Sequence, residues 1–141
     1  MHVPPERQGE EKLDDYVFRI VLVEPGERTL GFLRRQVAPR WVRRLFDLAP
    51  EDSGIAGIYF FNVGLATPRI GRRREHPMSD LVHEEIVTVP QPDGRFDFGH
   101  RLARPMPTLA VWISSDGDDS NSHFTVLIEK IEFILAADSV F

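Results

Sequence analysis

The densest apolar runs of the chain lie in residues 108–135, on either side of an acidic and polar break. Before the break, apolar or small residues occupy both parities of TLAVWIS, which is typical of a strand covered on both faces. After it, FTVLIEKIEFIL keeps its apolar residues on one parity up to Ile128 and on the other from Ile131 onward. Because alternate residues of a strand point to opposite faces, a β-bulge near Glu129 would join the two halves.

The second of these runs also fits a helix, since apolar residues recur at helical spacing at Phe124, Leu127, Ile128, Ile131 and Leu135. Its β-branched and aromatic content favours a strand, because such side chains lose rotamer freedom in a helix and pack well on a pleated surface. The pattern therefore predicts two core strands around an exposed loop, with a strand followed by a helix as the alternative.

Three further segments carry strand patterns. Residues 16–24, YVFRIVLVE, are interrupted by a single arginine and predict a central strand that ends in a Pro-Gly turn. Residues 55–63, IAGIYFFNV, predict a second strand. Residues 85–90 and 95–99 flank the connection QPDG, and their alternation predicts a hairpin.

Two segments lack a strand pattern. Residues 39–48 predict one short amphipathic helix with proline in its first turn. The apolar side of this helix would comprise Trp41, Val42, Leu45 and Phe46. Residues 64–80 carry glycines, prolines and an RRR cluster, which predicts a long surface loop of the kind that is often functional or interfacial in compact domains.

Together these elements predict a mainly β protein. About six or seven short strands, one short helix near 39–48 and no βαβ alternation are typical of an antiparallel β-sandwich or a jelly-roll-like barrel. A length of 141 residues is enough for one domain with a real core. We therefore expect an extended polar arm over residues 1–14 and a single β-rich domain over residues 15–141.

The composition and the length of the apolar runs exclude some kinds of chemistry and bear on membrane insertion and secretion. The chain has no cysteine, which excludes disulfides and thiolate chemistry. Its apolar runs all fall short of the ~20 residues that a membrane-spanning helix needs. The first residues, MHVPPERQGEEKL, lack the apolar core of a secretion signal. The sequence therefore predicts a soluble protein with no signal peptide and no membrane partner.

The formal net charge is −5 at pH 7, but the charges are clustered. The arginines form two groups, Arg34, Arg35, Arg40, Arg43 and Arg44, and Arg69, Arg72, Arg73 and Arg74. Acidic residues are concentrated in residues 6–15, 51–52 and 116–119. Patches of opposite sign predict contacts between copies of the chain, and a solvated mixed surface is the alternative. Nucleic-acid binding is disfavoured, because the whole chain is acidic and carries no recognition motif.

The acidic break holds the one candidate metal site. Asp116, Asp118 and Ser120 offer oxygen ligands at alternate positions, as the start of a calcium loop does. The bidentate glutamate expected at the twelfth position is missing, because Leu127 stands there. A solvated loop of turn-forming residues is the alternative, and it leads us to predict neither a metal nor any other cofactor.

The sequence predicts no catalytic site. The five histidines show neither a helical metal-binding spacing nor an HExxH motif. The serines lie in no GxSxG elbow, and no phosphate-binding loop is present. A small enzyme that uses His83, Glu84 and Glu85 is one alternative function. Another is a carbohydrate-binding module with Trp41, Trp112 or Tyr59 as the platform, although the apolar surroundings of Trp112 favour packing in the core.

The strand pair TLAVWIS and FTVLIEKIEFIL, together with the arm MHVPPERQGEEKL, resembles in architecture the small β-sandwich or jelly-roll proteins that build or decorate virus and phage particles. This resemblance implies a structural role as a capsid or decoration component of a virion. It also implies that copies of the chain, or other structural subunits, are held together by arms and loops. The implied interface residues are Arg72, Arg73, Arg74, Trp41 and Phe141, with the arginines meeting acidic neighbours and the aromatics acting as apolar anchors.

Overall fold

The computed structural model describes residues 16–28, 47, 54–65, 70–76, 79–115 and 123–135, and for residues 74–76 and 79 it describes the backbone alone. The strands are β1 (Phe18–Gly26), β2 (Gly54–Val63), β3 (Arg73–His76), β4 (Ser79–Thr88) and β5 (Ala110–Ser114). They form one five-stranded mixed sheet in the spatial order β3-β4-β2-β1-β5. The protein is therefore mainly β, as the sequence predicts.

The central strand β1 pairs antiparallel with β2 on one side and with β5 on the other, so that Leu22 lies opposite both Tyr59 and Val111. The strands predicted over 16–24 and 55–63 are confirmed by β1 and β2. The predicted Pro-Gly turn is wrong, because β1 continues through Pro25 to Gly26. A register shift between Glu24 and Pro25 accommodates the proline, which has no N–H to give to a regular ladder.

The pairing of β2 with β4 corrects the all-antiparallel prediction. These strands are parallel, with Tyr59 opposite His83. A parallel pair needs a crossover connection, and residues 64–78 supply it. Within that connection β3 pairs antiparallel with β4, so the predicted surface loop over 64–80 is wrong where β3 and the start of β4 lie. The charged sequence RREH suits a short edge strand and hides it from a search for apolar alternation.

One face of the sheet carries the core and is called the core face. The buried core cluster comes from the three central strands and comprises Val21, Val23, Ile55, Ile58, Phe60 and Val82. Trp112 of β5 packs against this cluster, as its apolar surroundings predict. Removing these apolar surfaces from water is the main contribution to the stability of the sheet.

Of the hairpin predicted over 85–90 and 95–99, the first strand lies in the end of β4 and the turn forms. The Gln91 N–H donates to the Arg95 carbonyl at 2.7 Å, and the Gly94 N–H donates to the Gln91 carbonyl at 2.8 Å. Gly94 has a φ of 87°, a left-handed conformation that glycine adopts without strain. The following residues 95–99 do not enter the sheet, so the second strand of that hairpin is wrong.

Residues 91–107 instead cross the face of the sheet opposite the core face, and we call them the crossing segment. The ring of Phe96 lies 5.7 Å from that of Phe18 at the start of β1. At the far end of the segment, Arg104 meets Glu24 near the end of the same strand. The segment thus runs alongside β1 and covers its apolar residues, and Phe18 is only 4% exposed.

The remaining predictions concern the two strands around the acidic break, the short helix and the N-terminal arm. The strand TLAVWIS is confirmed by β5, whereas residues 123–135 form neither the predicted second strand nor the alternative helix. Of the predicted helix over 39–48 the structure describes only Asp47, which is helical, and the rest of that prediction lies outside the described residues. The predicted arm over 1–14 lies outside the described residues.

Candidate functional site

Residues 123–135, called the C-terminal segment from here on, present a run of exposed apolar side chains. Leu127 is 86% exposed and Ile134 is 76% exposed. The other members of the run are Phe124, Ile128, Phe133 and Leu135. Exposed apolar residues are normal when they are scattered singly, but several of them in one short segment are typical of an interaction surface.

The one ion pair described within the C-terminal segment contributes little to its stability. Lys130 Nζ lies 2.9 Å from Glu132 Oε2, and both side chains are more than half exposed. An ion pair between solvated neighbours contributes little to stability. Across the described ranges, no backbone hydrogen bond ties residues 123–135 to another element. In the part of the chain that the structure describes, the apolar side chains of this segment therefore face solvent and its backbone joins no strand.

The edge strand β5 adds a second apolar surface. It pairs with β1 on one side and has no neighbour on its other side among the described strands. Val111 and Ile113 point away from the core face and remain 45% and 41% exposed. An open edge presents unpaired N–H and C=O groups and is a ready template for another strand. The opposite edge, β3, is shorter and charged, which makes it a poorer template.

The crossing segment and the sheet enclose a polar cluster around Glu24, whose side chain is only 10% exposed. Arg104 Nη2 donates to the two carboxylate oxygens of Glu24 at 2.7 and 2.9 Å. The hydroxyl of Tyr59 donates to the same carboxylate at 3.2 Å. A poorly exposed carboxylate requires such partners, because its charge is costly to remove from water.

Glu24, Arg104 and Tyr59, called the clamp from here on, tie the crossing segment to the sheet. Hydrogen bonding to Glu24 raises the pKa of the Arg104 guanidinium. Burial, followed by the nearby charge of Glu24, raises the pKa of the Tyr59 hydroxyl above its ordinary value. A tyrosine shifted in this direction stays neutral and donates a hydrogen bond, whereas a nucleophile or general base needs a lowered or matched pKa.

A second polar contact joins the crossing segment to the other half of the sheet. The carboxylate of Glu85 lies 3.4 Å from Arg73 Nε and 3.6 Å from His100 Nε2. The ring of His100 also lies 4.8 Å from that of Phe61. Strands β3 and β4 and the crossing segment therefore meet at Glu85, which reinforces the cover over this face.

The sheet separates the residues of the candidate enzyme site. Because side chains alternate along β4, His83 and Glu85 face the crossing segment, while Glu84 faces the core and is 6% exposed. The ring of His83 stacks on Tyr59 at 5.0 Å. Within the described ranges, no group of three or more histidines and carboxylates is placed to hold a metal ion. His83, Glu84 and Glu85 thus do not converge on one point.

The predicted interface residues are only partly described. Arg72 and Arg73 are exposed, and Arg73 meets Glu85 of its own chain. The backbone of Arg74 lies in β3 opposite Glu84. Trp41 and Phe141 lie outside the described residues, so all five remain predictions.

The candidate calcium ligands and sugar platforms are equally limited. Asp116, Asp118 and Ser120 also lie outside the described residues, and that site remains a prediction. Of the aromatic platforms, Trp112 packs on the core and Tyr59 is occupied by His83 and Glu24. The described residues thus present neither of these two rings as an open stacking surface.

Sequence reasoning missed the clamp because its members are far apart in the chain. Glu24 and Arg104 are separated by 80 positions. The available signals were a lone glutamate at the end of an apolar strand and an arginine in a proline-rich link.

In the described part of the chain, no helix has the length and apolar character to cross a membrane. No protein-family model matches the chain, and no solved structure matches it at a significant level.

Proposed function

We propose that this chain is a non-enzymatic structural protein that works by assembling with further copies of itself. The observation that carries the proposal is the exposed apolar run of the C-terminal segment. A domain rarely leaves so many large apolar side chains of one short segment in water unless a partner covers them. The open edge of β5 supports the same conclusion, because it is a second surface suited to a neighbouring chain.

The energetics support an assembly of several weak contacts. Burying the six exposed side chains of the C-terminal segment against a partner would contribute on the order of 10 kcal/mol. Association costs on the order of 4–15 kcal/mol in lost translational and rotational freedom. A single such contact is close to balanced, so a stable particle needs each copy to make several. A repeated, symmetric assembly provides them.

The finer form of the proposal follows the architectural resemblance. In it, the sheet is one layer of a β-sandwich or jelly-roll, and the assembly is a capsid or decoration layer of a virus or phage particle. The buried core face supports a second layer, because a sheet face with Ile58 and Val82 fully buried is a covered face. Arg72 and Arg73 at the exposed end of β3 would meet acidic surfaces of neighbours.

The test is the oligomeric state of the full chain, measured by native mass spectrometry and light scattering over a range of concentrations. We expect a discrete oligomer. The double variant Leu127→Glu and Ile134→Glu should dissociate it, because charged side chains oppose burial of the segment. Ile70→Glu is the matched control, since Ile70 is 44% exposed but lies outside the segment.

Circular dichroism must show the same β content in the wild type, the double variant and the control, so that a change in oligomeric state is not caused by unfolding. A strict monomer at the highest attainable concentration would overturn the proposal of self-assembly. If the double variant leaves the oligomer intact, the C-terminal segment does not lie in its interface.

A further inference from the structure

The C-terminal segment has the residue types of a strand but no strand partner in the described part of the chain. Phe124, Thr125, Val126 and Ile128 are β-branched or aromatic residues, which suit a pleated and partly buried surface. Their backbone nevertheless forms no ladder with any described strand. Backbone N–H and C=O groups are strong hydrogen-bonding groups, and in an exposed segment outside any described ladder they can exchange water for another strand.

The free edge of β5 is a surface to which such a strand can add. We call this edge the acceptor and the C-terminal segment the donor. Strand β5 has one side paired with β1, and in the described residues its other side meets no strand. The apolar surface beside this free side, Val111 and Ile113, is 45% and 41% exposed. Within the described ranges, each copy of the chain therefore carries an apolar strand-like donor and an open apolar acceptor, and the two are not paired with each other.

We propose that residues 123–135 of one copy add to the sheet of a second copy as a strand beside β5. This inference rests on the proposed function, and it names the partner and the surface of self-assembly. Strand addition gives both elements their missing backbone hydrogen bonds. It also covers apolar side chains of both, including Leu127 of the donor and Val111 of the acceptor.

The sequence between donor and acceptor favours exchange between copies over a hairpin within one copy. Residues 116–122 read DGDDSNS and carry three carboxylates. A tight hairpin turn would crowd these like charges, whereas charged linkers repel themselves and extend. Fully extended, such a linker spans roughly 25 Å. A span of that length would allow the donor to reach the sheet edge of a neighbouring copy.

The stoichiometry also favours a second copy. Because every chain carries one donor and one acceptor, two chains related by a two-fold axis satisfy each other completely. A head-to-tail series, in which each chain donates to the next, uses the same contact and leaves only its ends open. Both arrangements extend the five-stranded sheet by one strand from another chain.

Disulfide trapping tests this contact cleanly, because the chain has no cysteine of its own. One copy carries Ile113→Cys and one affinity tag. A second, co-expressed copy carries a different tag and a single cysteine at one of positions 124–130, taken in turn. After mild oxidation, disulfides between the two tagged copies are measured by mass spectrometry. Ile70→Cys in the second copy is the control for chance collision.

The expected result is a disulfide yield that alternates along positions 124–130, because alternate residues of an added strand face the side of the sheet that carries Ile113. At the favourable positions the bond should form roughly a hundred-fold faster than with the Ile70→Cys control, since paired strands hold the thiols at millimolar effective concentration. All substituted positions except Val126 are exposed, so the fold should tolerate the substitutions.

Three outcomes would overturn the inference. An oligomer whose disulfide yields show no alternation would leave the proposed function standing and place its interface elsewhere. A monomer that forms an internal disulfide, when Ile113→Cys and the second cysteine are in one chain, would show that the segment folds back on its own β5. Monomers without any disulfide would remove both the strand exchange and the proposed function.

Discussion

Arg104 binds the two carboxylate oxygens of Glu24 through a single guanidinium nitrogen, at 2.7 and 2.9 Å. The arginine belongs to the crossing segment and the glutamate to the central strand, so this contact ties the end of the cover to the sheet. The Glu24 side chain is 10% exposed and that of Arg104 is 58% exposed, which makes the glutamate the group that depends on its partner.

Replacing Arg104 should therefore loosen the crossing segment. With Arg104→Ala we expect faster amide hydrogen exchange over residues 96–107 than in the wild type, because the segment opens more often when its anchor is lost. Arg95→Ala is the matched control, since Arg95 is an exposed arginine of the same segment with no part in the clamp. Equal exchange in both variants would mean that the contacts of Phe96 and His100 hold the segment without the arginine.

Tyr59 should make the stability of the protein depend on alkaline pH. Burial and the charge of Glu24 raise its folded pKa above the ordinary value of 10.0. As the pH rises, the unfolded chain therefore loses this proton first. The contribution of Tyr59 to the free energy of unfolding is complete below pH 10.0 and is lost as the pH rises through the folded pKa.

The variant Tyr59→Phe isolates this contribution. It removes the hydrogen bond to Glu24, and at neutral pH we expect the free energy of unfolding to fall by about 0.5–1 kcal/mol. Urea denaturation of wild type and variant, repeated at pH values from neutral to alkaline, measures the difference between them. That difference should shrink above the ordinary tyrosine pKa. A difference that stays constant with pH would contradict the raised pKa of Tyr59.

The sequence predicts the strands in which apolar residues mark the buried faces. Residues 16–24 and 55–63 are apolar on both faces because the core lies on one side and the crossing segment on the other, and β1 and β2 form there. The parallel register of β2 and β4 was not predictable, because apolar patterning reports which residues are buried and carries no information on which strand lies beside them. The charged strand β3 gave no apolar signal at all.

The C-terminal segment shows the same limit from the other side. Its composition favours a strand, and yet no strand forms in the described chain. Composition states which surface a residue suits, but a strand also needs a neighbour to pair with. The clamp of Glu24 and Arg104 could not be predicted either, because contacts between distant residues depend on the path of the crossing segment, which short-range periodicity does not encode.

Gly54 should tolerate no side chain. It lies opposite Gly26, where β1 ends and β2 begins, and a Cβ added to Gly54 would collide with the Gly26 carbonyl oxygen. That atom belongs to the backbone, so no side-chain rotation relieves the contact. We expect Gly54→Ala to lower the free energy of unfolding by about 1–3 kcal/mol.

Gly99→Ala is the control for that substitution, because a Cβ at Gly99 would meet no atom within 4 Å. Its free energy of unfolding, measured by urea denaturation beside that of Gly54→Ala, should stay within about 0.5 kcal/mol of wild type. Equal losses in the two variants would show that the close approach of β1 and β2 at Gly26 and Gly54 is absent in solution.

Trp112 and Val111 are neighbours on β5 whose side chains point to opposite faces of the sheet. Trp112 packs against the core cluster, whereas Val111 is 45% exposed. Trp112→Ala should therefore lower the free energy of unfolding by about 2–3 kcal/mol, less than for a fully buried tryptophan. Val111→Ala should cost about 0.5 kcal/mol or less in the isolated chain.

Urea denaturation followed by circular dichroism measures both losses without relying on tryptophan fluorescence. Repeating it at several protein concentrations separates the two faces further, because a residue that contributes only to assembly affects stability only where copies associate. If strand addition covers the edge of β5, the loss from Val111→Ala should grow with protein concentration while that from Trp112→Ala stays constant. A large, concentration-independent loss from Val111→Ala would instead mean that its own chain already covers this edge.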